Sequence, residues 1–352
     1  DKYAEEYKAM FERQAPQADQ PKTMLPTDPK NIWMEGIGLI GLGANAKAAS
    51  IAGDLVVQNA RVRAIGEDAG GFRPISEKDL FDCEYWSLEQ AKLGKGAPPK
   101  FQGKIVMITG GSGTIGFAIA KAFSKLGAQT ILVDKDEIAL KESVAKLGVG
   151  HKYFPIDVTH SDAANQAMLA AINNFGGLDI LISNAGAAHA GPMLGISNEE
   201  LRNAFELNFF SHYSFSTEAA KILKDQNRGG QILFNISKQA VNPGKNFGAY
   251  GLPKATTFFL MRQLALELGS DGIRVNGINA DRIRSGLLTD DFISSRAKSR
   301  GVSESEYMAG NLLNKEVTAE HVADAFTALA CAESTTGHVM TVDGGNIEAS
   351  LR

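Results

Sequence analysis
The sequence is poor in the residues that would make it secreted, membrane-bound or metal-dependent. Only two of its 352 residues are cysteine, Cys83 and Cys331. That is too few for a disulfide framework and fits a reducing compartment. Basic residues are not in excess: 36 Lys and Arg face 40 Asp and Glu, a formal net charge of −4. A nucleic-acid binder or a protein held to an anionic membrane would need a basic face, so both classes are set aside. No apolar run approaches the roughly 20 residues that cross a bilayer. The opening DKYAEEYKAM is charged where a secretory signal would be apolar. These absences together lead to the expectation of a cytoplasmic protein. Six histidines are present, none in an H-x-H pair and none clustered for zinc, so no metal site is expected. The first residue is Asp1 rather than Met, which is what a piece of a longer chain would show.

Hydrophobic residues make up 44% of the chain, enough for a full core, and the length suits one large domain or two. A boundary is expected in GKGAPPK, from Gly94 to Lys100, where two prolines and two glycines in seven residues suit an exposed linker. Residues 1–99 then form an N-terminal extension and 100–352 a second domain. In the extension, Tyr3, Tyr7, Met10 and Phe11 fall on one helical face. A proline-rich stretch follows, and NIWMEGIGLIGLG reads as a strand entering the helix AKAASIAGDLVVQ. So much coil argues against an independent enzyme in these residues. After the boundary, seven apolar runs begin at Lys104, Gln129, His151, Leu178, Gly230, Ile273 and His338, with helical patterns between them. Runs this apolar are buried on both faces. The expected fold is therefore α/β, a doubly wound parallel sheet of about seven strands of the Rossmann type.

The first strand of that series ends in TGGSGTIG, Thr109 to Gly116, which opens a helix. Glycines there let the backbone approach a pyrophosphate, and the helix N-terminus supplies free N–H groups and positive dipole. The candidate contacts are Thr109, Gly110, Ser112, Gly113, Thr114, Ile115 and Gly116. Asp134 ends the second strand, and a carboxylate there accepts from both adenosine ribose hydroxyls and repels a 2′-phosphate. The expected cofactor is NAD, with Lys135 beside the acid leaving NADP open. Asp157 and Val158 after the third strand are placed at the adenine, and Asn184, Ala185 and Gly186 after the fourth at the nicotinamide ribose. A second literal G-x-G-x-x-G, Gly36, Gly38 and Gly41, lacks a following strand with a terminal acid and reads as a structural turn.

Tyr250 and Lys254 are four residues apart, hence on one helical face, and Ser237 precedes the tyrosine by thirteen residues. A free phenol has a pKa of about 10 and is a poor base near neutrality. An ammonium beside it, together with the positive charge of oxidised nicotinamide, is expected to lower that value and make Tyr250 a general base, or an acid in reverse. Ser237 would hold the reacting oxygen. Asn208 would lie on the preceding long helix and position Lys254 or a water. Pro253 between the pair is tolerable if the helix begins near Tyr250.

These residues resemble the short-chain dehydrogenase/reductase family from Lys100 to the C-terminus. The resemblance gives catalytic roles to Asn208, Ser237, Tyr250 and Lys254 and cofactor roles to Thr109, Gly110, Gly116, Asp134, Asp157 and Asn184. TTGHVMTVDGG, Thr335 to Gly345, resembles the family's last strand and turn. Two departures stand out. Thr114 replaces a usual glycine, leaving the T-G-x-x-G-x-x-G spacing of the family's extended branch, and Ala280-Asp281 replaces the usual Pro-Gly. Within the family, SKQAVNPGKNFGAYGLPKA, INADRIRSGLLTDDF and DLFDCEYWSLEQAKLG are similar to the C-terminal part of bifunctional rhamnulose-1-phosphate aldolase/short-chain dehydrogenase proteins. That likeness implies that residues 1–99 are the tail of an aldolase portion, that aldolase activity is absent here, and that the reaction is NAD-linked oxidation of lactaldehyde or a related deoxysugar-breakdown product. It also implies a homo-oligomer, dimer or tetramer, through the Asn198–Asp225 stretch and the helix at Tyr250.

The polar residues Lys238, Gln239, Asn242 and Lys245, with Arg282 and Arg284 after the sixth strand, point to a small oxygenated and anionic substrate; each taken singly also fits a solvated surface charge. His189 could face the site or solvent, and His212 reads as structural. Two other functions fit the motifs: an epimerase or dehydratase that retains its NAD, and a non-catalytic NAD-binding scaffold for an aldolase portion.

Overall fold
A computed structural model describes residues 2–90, 97–188 and 190–346. The chain divides into two compact units, Asp1–Gly103 and Lys104–Arg352. Of the expected linker, Gly94 to Gly96 lie outside the described residues.

The first unit contains α1 (Lys2–Gln14), β1 (Asn31–Met34), β2 (Gly38–Gly41), α2 (Ala46–Asp68), α3 (Glu77–Glu84) and the short α4 (Ser87–Gln90). The apolar face of α1 packs on α3. Met10, Phe81 and Tyr85 are buried, with Tyr7 and Phe11 packed against them, while Tyr3 stays exposed. The segment read as one strand is two, an antiparallel hairpin pairing Asn31 with Gly41. Gly36 and Gly38 make the turn at φ +76° and +123°, a backbone that favours glycine. A Cβ on Gly41 would overlap the α2 backbone at Ala49 and Gly53. This glycine triplet thus serves hairpin geometry and helix packing.

The second unit runs β3 (Ile105–Thr109), α5 (Thr114–Lys125), β4 (Gln129–Asp134), α6 (Glu137–Leu147), β5 (Lys152–Pro155), α7 (Ala163–Phe175), β6 (Ile180–Ser183), α8 (Asn198–Phe205), α9 (Ser211–Gln226), β7 (Gly230–Asn235), α10 (Gly248–Leu268), β8 (Ile273–Ala280), α11 (Asp290–Arg300), α12 (Glu304–Met308), α13 (Ala319–Cys331) and β9 (Val339–Val342). The strand order is β5-β4-β3-β6-β7-β8-β9, every pair parallel. All seven expected strands are present. The central ones are buried throughout because helices cover both faces. No described helix is long and apolar enough to cross a membrane.

Chain order reverses between β3 and β6, which opens a crevice at the carboxyl ends of the strands. The sheet then works as a ruler, with neighbouring strands about 4.8 Å apart. Asp134 is the last residue of β4, and the glycine turn follows β3, Asn184 follows β6, Ser237 follows β7 and Asp281 follows β8.

Candidate active site
The strand ends converge on one cavity of about 850 Å³. Gly110, Gly113, Thr114, Ile115, Gly116, Asp134, Asp157, Val158, Asn184, Ala185 and Gly186 line it, together with Ser237, Tyr250 and Lys254. Three residues expected to touch a ligand, Thr109, Ser112 and Asn208, do not line it and act from behind. Thr109 is buried, and its hydroxyl accepts from the backbone N–H groups of Asn184 (2.9 Å) and Ala185 (3.0 Å), tying β3 to the loop after β6. Ser112 donates its hydroxyl to Asp134 at 2.7 Å. His189 lies outside the described residues.

The glycine turn is tight for internal reasons at two positions. Gly110 has φ +63°, and a Cβ there would stand 3.0 Å from the Ala185 backbone. A Cβ on Gly116 would collide with the Gly110 carbonyl, so the first turn of α5 rests directly on the loop. Gly113, the N-cap of α5, meets nothing closer than 3.4 Å and faces the cavity. Asn184 closes the floor. Its amide donates to the Thr109 carbonyl at 2.9 Å, and its oxygen accepts from Asn235 at 2.8 Å. Asp157 accepts from the Thr159 N–H and hydroxyl, and these bonds hold its carboxyl below the usual range.

Asn208 reaches its place by an irregularity. The long helix from Asn198 to Gln226 is broken by one wide turn, Glu206–Phe210, in which the Ser211 N–H bonds the Glu206 carbonyl. Such turns redirect side chains at functional sites. The Asn208 amide donates to Ala187 and Ala204 carbonyls at 3.0 and 3.1 Å, while its buried Oδ1 has no protein partner. That oxygen lies behind Gly186, where a Cβ would approach it to 2.8 Å and the Lys254 amine to 3.5 Å. An orphaned buried acceptor costs about 1–3 kcal/mol.

Helix α10 begins at Gly248, two residues earlier than expected, so Pro253 falls in its second turn. The ring costs the Ala249 carbonyl its helical donor. Tyr250 and Lys254 are both buried. Ser237 hydrogen-bonds the Tyr250 phenol, and this bond lowers the phenol pKa, but burial outweighs it and pushes the value up to about 12. In the protein alone, without the positive charge of a nicotinamide, burial therefore sets the direction, and the lysine does not offset it. The physical reason is twofold. Burial pulls the Lys254 amine down to about 7. The amine also stands 5.9 Å from the centre of the Tyr250 ring, bonded to the Asn235 carbonyl at 3.0 Å.

His212, read from sequence as structural, touches this lysine. Its Nε2 is 3.3 Å from Lys254 Nζ and its Nδ1 is 2.6 Å from the Ser183 hydroxyl. A helical position four residues after Asn208 was the available signal. Asp281, the residue that departs from the usual Pro-Gly, is a second group that sequence reasoning left unassigned. It is buried, pairs with Lys238 at 2.8 Å and Arg282 at 3.5 Å, and accepts from Asn346 at 2.6 Å. It joins the loop after β7 to the loop after β8. Arg284 does not line the cavity; it is paired with Glu316 and Asp290. Arg296 of α11 does line it, its guanidinium carbon 5.1 and 5.3 Å from the ring centres of Phe247 and Phe292, which meet edge to face. Among the described residues no three His, Cys, Asp or Glu side chains cluster as a metal site.

Residues 111–346 match the family model for enoyl-(acyl carrier protein) reductase, and residues 1–93 match that for the second domain of class II aldolases. The chain belongs to the short-chain dehydrogenase/reductase family. It is 32% identical to an uncharacterized oxidoreductase of Bacillus subtilis over 97% of this chain. The match takes in 51% of that relative, so the chain spans about half of its length. Secoisolariciresinol dehydrogenase of Forsythia intermedia is 30% identical, over 70% of this chain and 90% of its own. L-Sorbose reductase of Gluconobacter frateurii, solved with NADPH and L-sorbose, superposes with a TM-score of 0.65 at 27% identity, covering 71% of this chain and 98% of its own. A 3-ketoacyl-(acyl-carrier-protein) reductase of Brucella melitensis, solved with NADH, gives 0.62 at 25% identity, with 69% and 98% covered. Members of this oxidoreductase family use a nicotinamide cofactor, and the glycine cradle, Asp134 and the orphaned Asn208 acceptor fit one.

Proposed function
We propose that the chain is an NAD-dependent dehydrogenase for a small polar hydroxy or aldehyde compound. The observation that carries this reading is the single cavity shared by the glycine cradle, Asp134, Ser237, Tyr250 and Lys254. A bound oxidised nicotinamide would accept a hydride and bring a positive charge. The residues of the chain do the rest. Ser237 orients the reacting oxygen against Tyr250, and Tyr250 takes or gives its proton. With its phenol pushed up to about 12 by burial, Tyr250 is a proton donor at neutral pH, suited to carbonyl reduction. Oxidation requires added positive charge in the site to bring that value down. The Asp134 carboxylate favours ribose hydroxyls over a 2′-phosphate, which supports NAD over NADP. Lys238, Gln239, Asn242 and Arg296 in the lining support an oxygen-bearing compound, while Phe247, Leu287, Leu288 and Phe292 in the same lining would meet its carbon skeleton.

The substrate reading is lactaldehyde or a related product of deoxysugar breakdown. It rests on the resemblance of both portions to aldolase/dehydrogenase fusions and on the match of residues 1–93 to an aldolase second domain. We further propose a homo-oligomer. NADH absorbance should rise when the protein meets NAD and L-lactaldehyde, faster than with NADP. Tyr250→Phe should lose at least about 100-fold in kcat and keep its NAD affinity. Turnover retained in that variant would refute the mechanism. A wild-type protein that binds NAD and leaves lactaldehyde untouched would refute this substrate.

A further inference from the structure
We propose that His212 is a positioning residue for Lys254, its imidazole accepting one N–H of the lysine ammonium and fixing the direction of the others. This rests on the reading of Lys254 as a member of the active site. His212 is buried on α9, its ring tilted against Phe234 at 6.1 Å. Ser183, at the end of β6, holds Nδ1 at 2.6 Å, and Nε2 meets Lys254 Nζ at 3.3 Å. An ammonium carries three donors and no acceptor, so a charged Lys254 requires a bare Nε2. The ring proton then sits on Nδ1 and donates to the Ser183 oxygen. Of the three ammonium hydrogens, one goes to the Asn235 carbonyl and one to His212. The third is left for the cavity that Lys254 lines. Without His212 one fixed partner would remain, and the amine could rotate about its last bond.

The surroundings allow one charge in this pair. The groups that face it are the Ser183 hydroxyl from β6, the Ala185 backbone, Asn235 from β7, Asn208 from the wide turn and Tyr250 from α10; none is a carboxylate. Two cations 3.3 Å apart in such a place would repel strongly. Burial, with the lysine charge second, holds the imidazole well below its usual value, so it stays neutral while Lys254 titrates. The wide turn at Glu206–Phe210 carries Asn208 and ends two residues before His212.

Nuclear magnetic resonance of the full chain tests this without a substrate. Lysine and histidine are labelled with 13C and 15N, and Lys254 is assigned by loss of its signal in Lys254→Met. The His212 ring nitrogens should show a neutral Nδ1–H tautomer at every pH below the Lys254 midpoint, where the amine is charged. His212→Phe keeps the ring shape and removes the acceptor. Loss of a hydrogen bond to the charged form should move the Lys254 midpoint down by about one pH unit. His212→Gln, with an oxygen near the place of Nε2, should restore most of that shift. An unchanged Lys254 midpoint in the phenylalanine variant, or equal shifts in both variants, overturns the proposal. Should the phenylalanine variant fail to fold, the wild-type tautomer decides: a protonated Nε2 below the Lys254 midpoint, where the amine is charged, overturns it. None of these readouts depends on lactaldehyde turnover, so failure of the substrate reading would leave the result interpretable.

Discussion
At the scale of residues, local chemistry marked the site better than it set the charges. Ser237, Tyr250 and Lys254 were legible because their spacing and their glycine loop are written along the chain. Their protonation was not, because desolvation depends on what packs around them. The same holds for the arginines. Arg282 and Arg284 stand in sequence where a substrate loop begins, yet Arg284 is claimed by two carboxylates and Arg282 by Asp281. Arg296 could not be singled out, because its place beside Phe247 and Phe292 comes from long-range packing. Arg284→Ala should therefore leave KM for the turned-over compound unchanged, and Arg296→Ala should raise it about three- to tenfold, matching one lost polar contact. A KM raised equally by both substitutions would contradict this division.

At the scale of elements, the alternation of strands and helices was readable because strands buried on both faces are nearly continuous in Val, Ile and Leu. What escaped was irregular. The glycines of Asn31–Gly41 were legible as a turn, but the four-residue strands on either side are too short for the apolar run to show them as a pair, and the wide turn at Asn208 has no local signature at all. Exposure along α9 and α10 has its own consequence. Phe210 and Tyr213 are about half exposed, and Phe259 and Leu266 are 68% and 82% exposed. Large apolar side chains at such density on two helices fit a surface covered by a second copy. Phe259→Glu combined with Leu266→Glu should halve or quarter the mass seen by light scattering, with the fold retained by circular dichroism. A wild-type protein that is monomeric at micromolar concentration would refute that interface.

At the scale of the molecule, the division into two units follows composition: coil, proline and a small aromatic cluster before Gly103, a large continuous core after it. The parallel order of the sheet carries a further consequence, in time. None of its strands pairs across a hairpin. The centre closes only when β3 meets β6, and the bond from the Ile105 N–H to Asp179 spans 74 residues of chain. A ribosome adding about 5–20 residues per second needs on the order of 4–15 s to supply them. Through that interval Ile105–Thr109, five residues that end wholly buried, present an unpaired apolar edge. Refolding yield from denaturant should accordingly fall as protein concentration rises, and a yield independent of concentration would show that the edge is covered sooner. The step at which chain order reverses, where the cofactor crevice opens, is also the seam at which a newborn chain is most exposed to its neighbours.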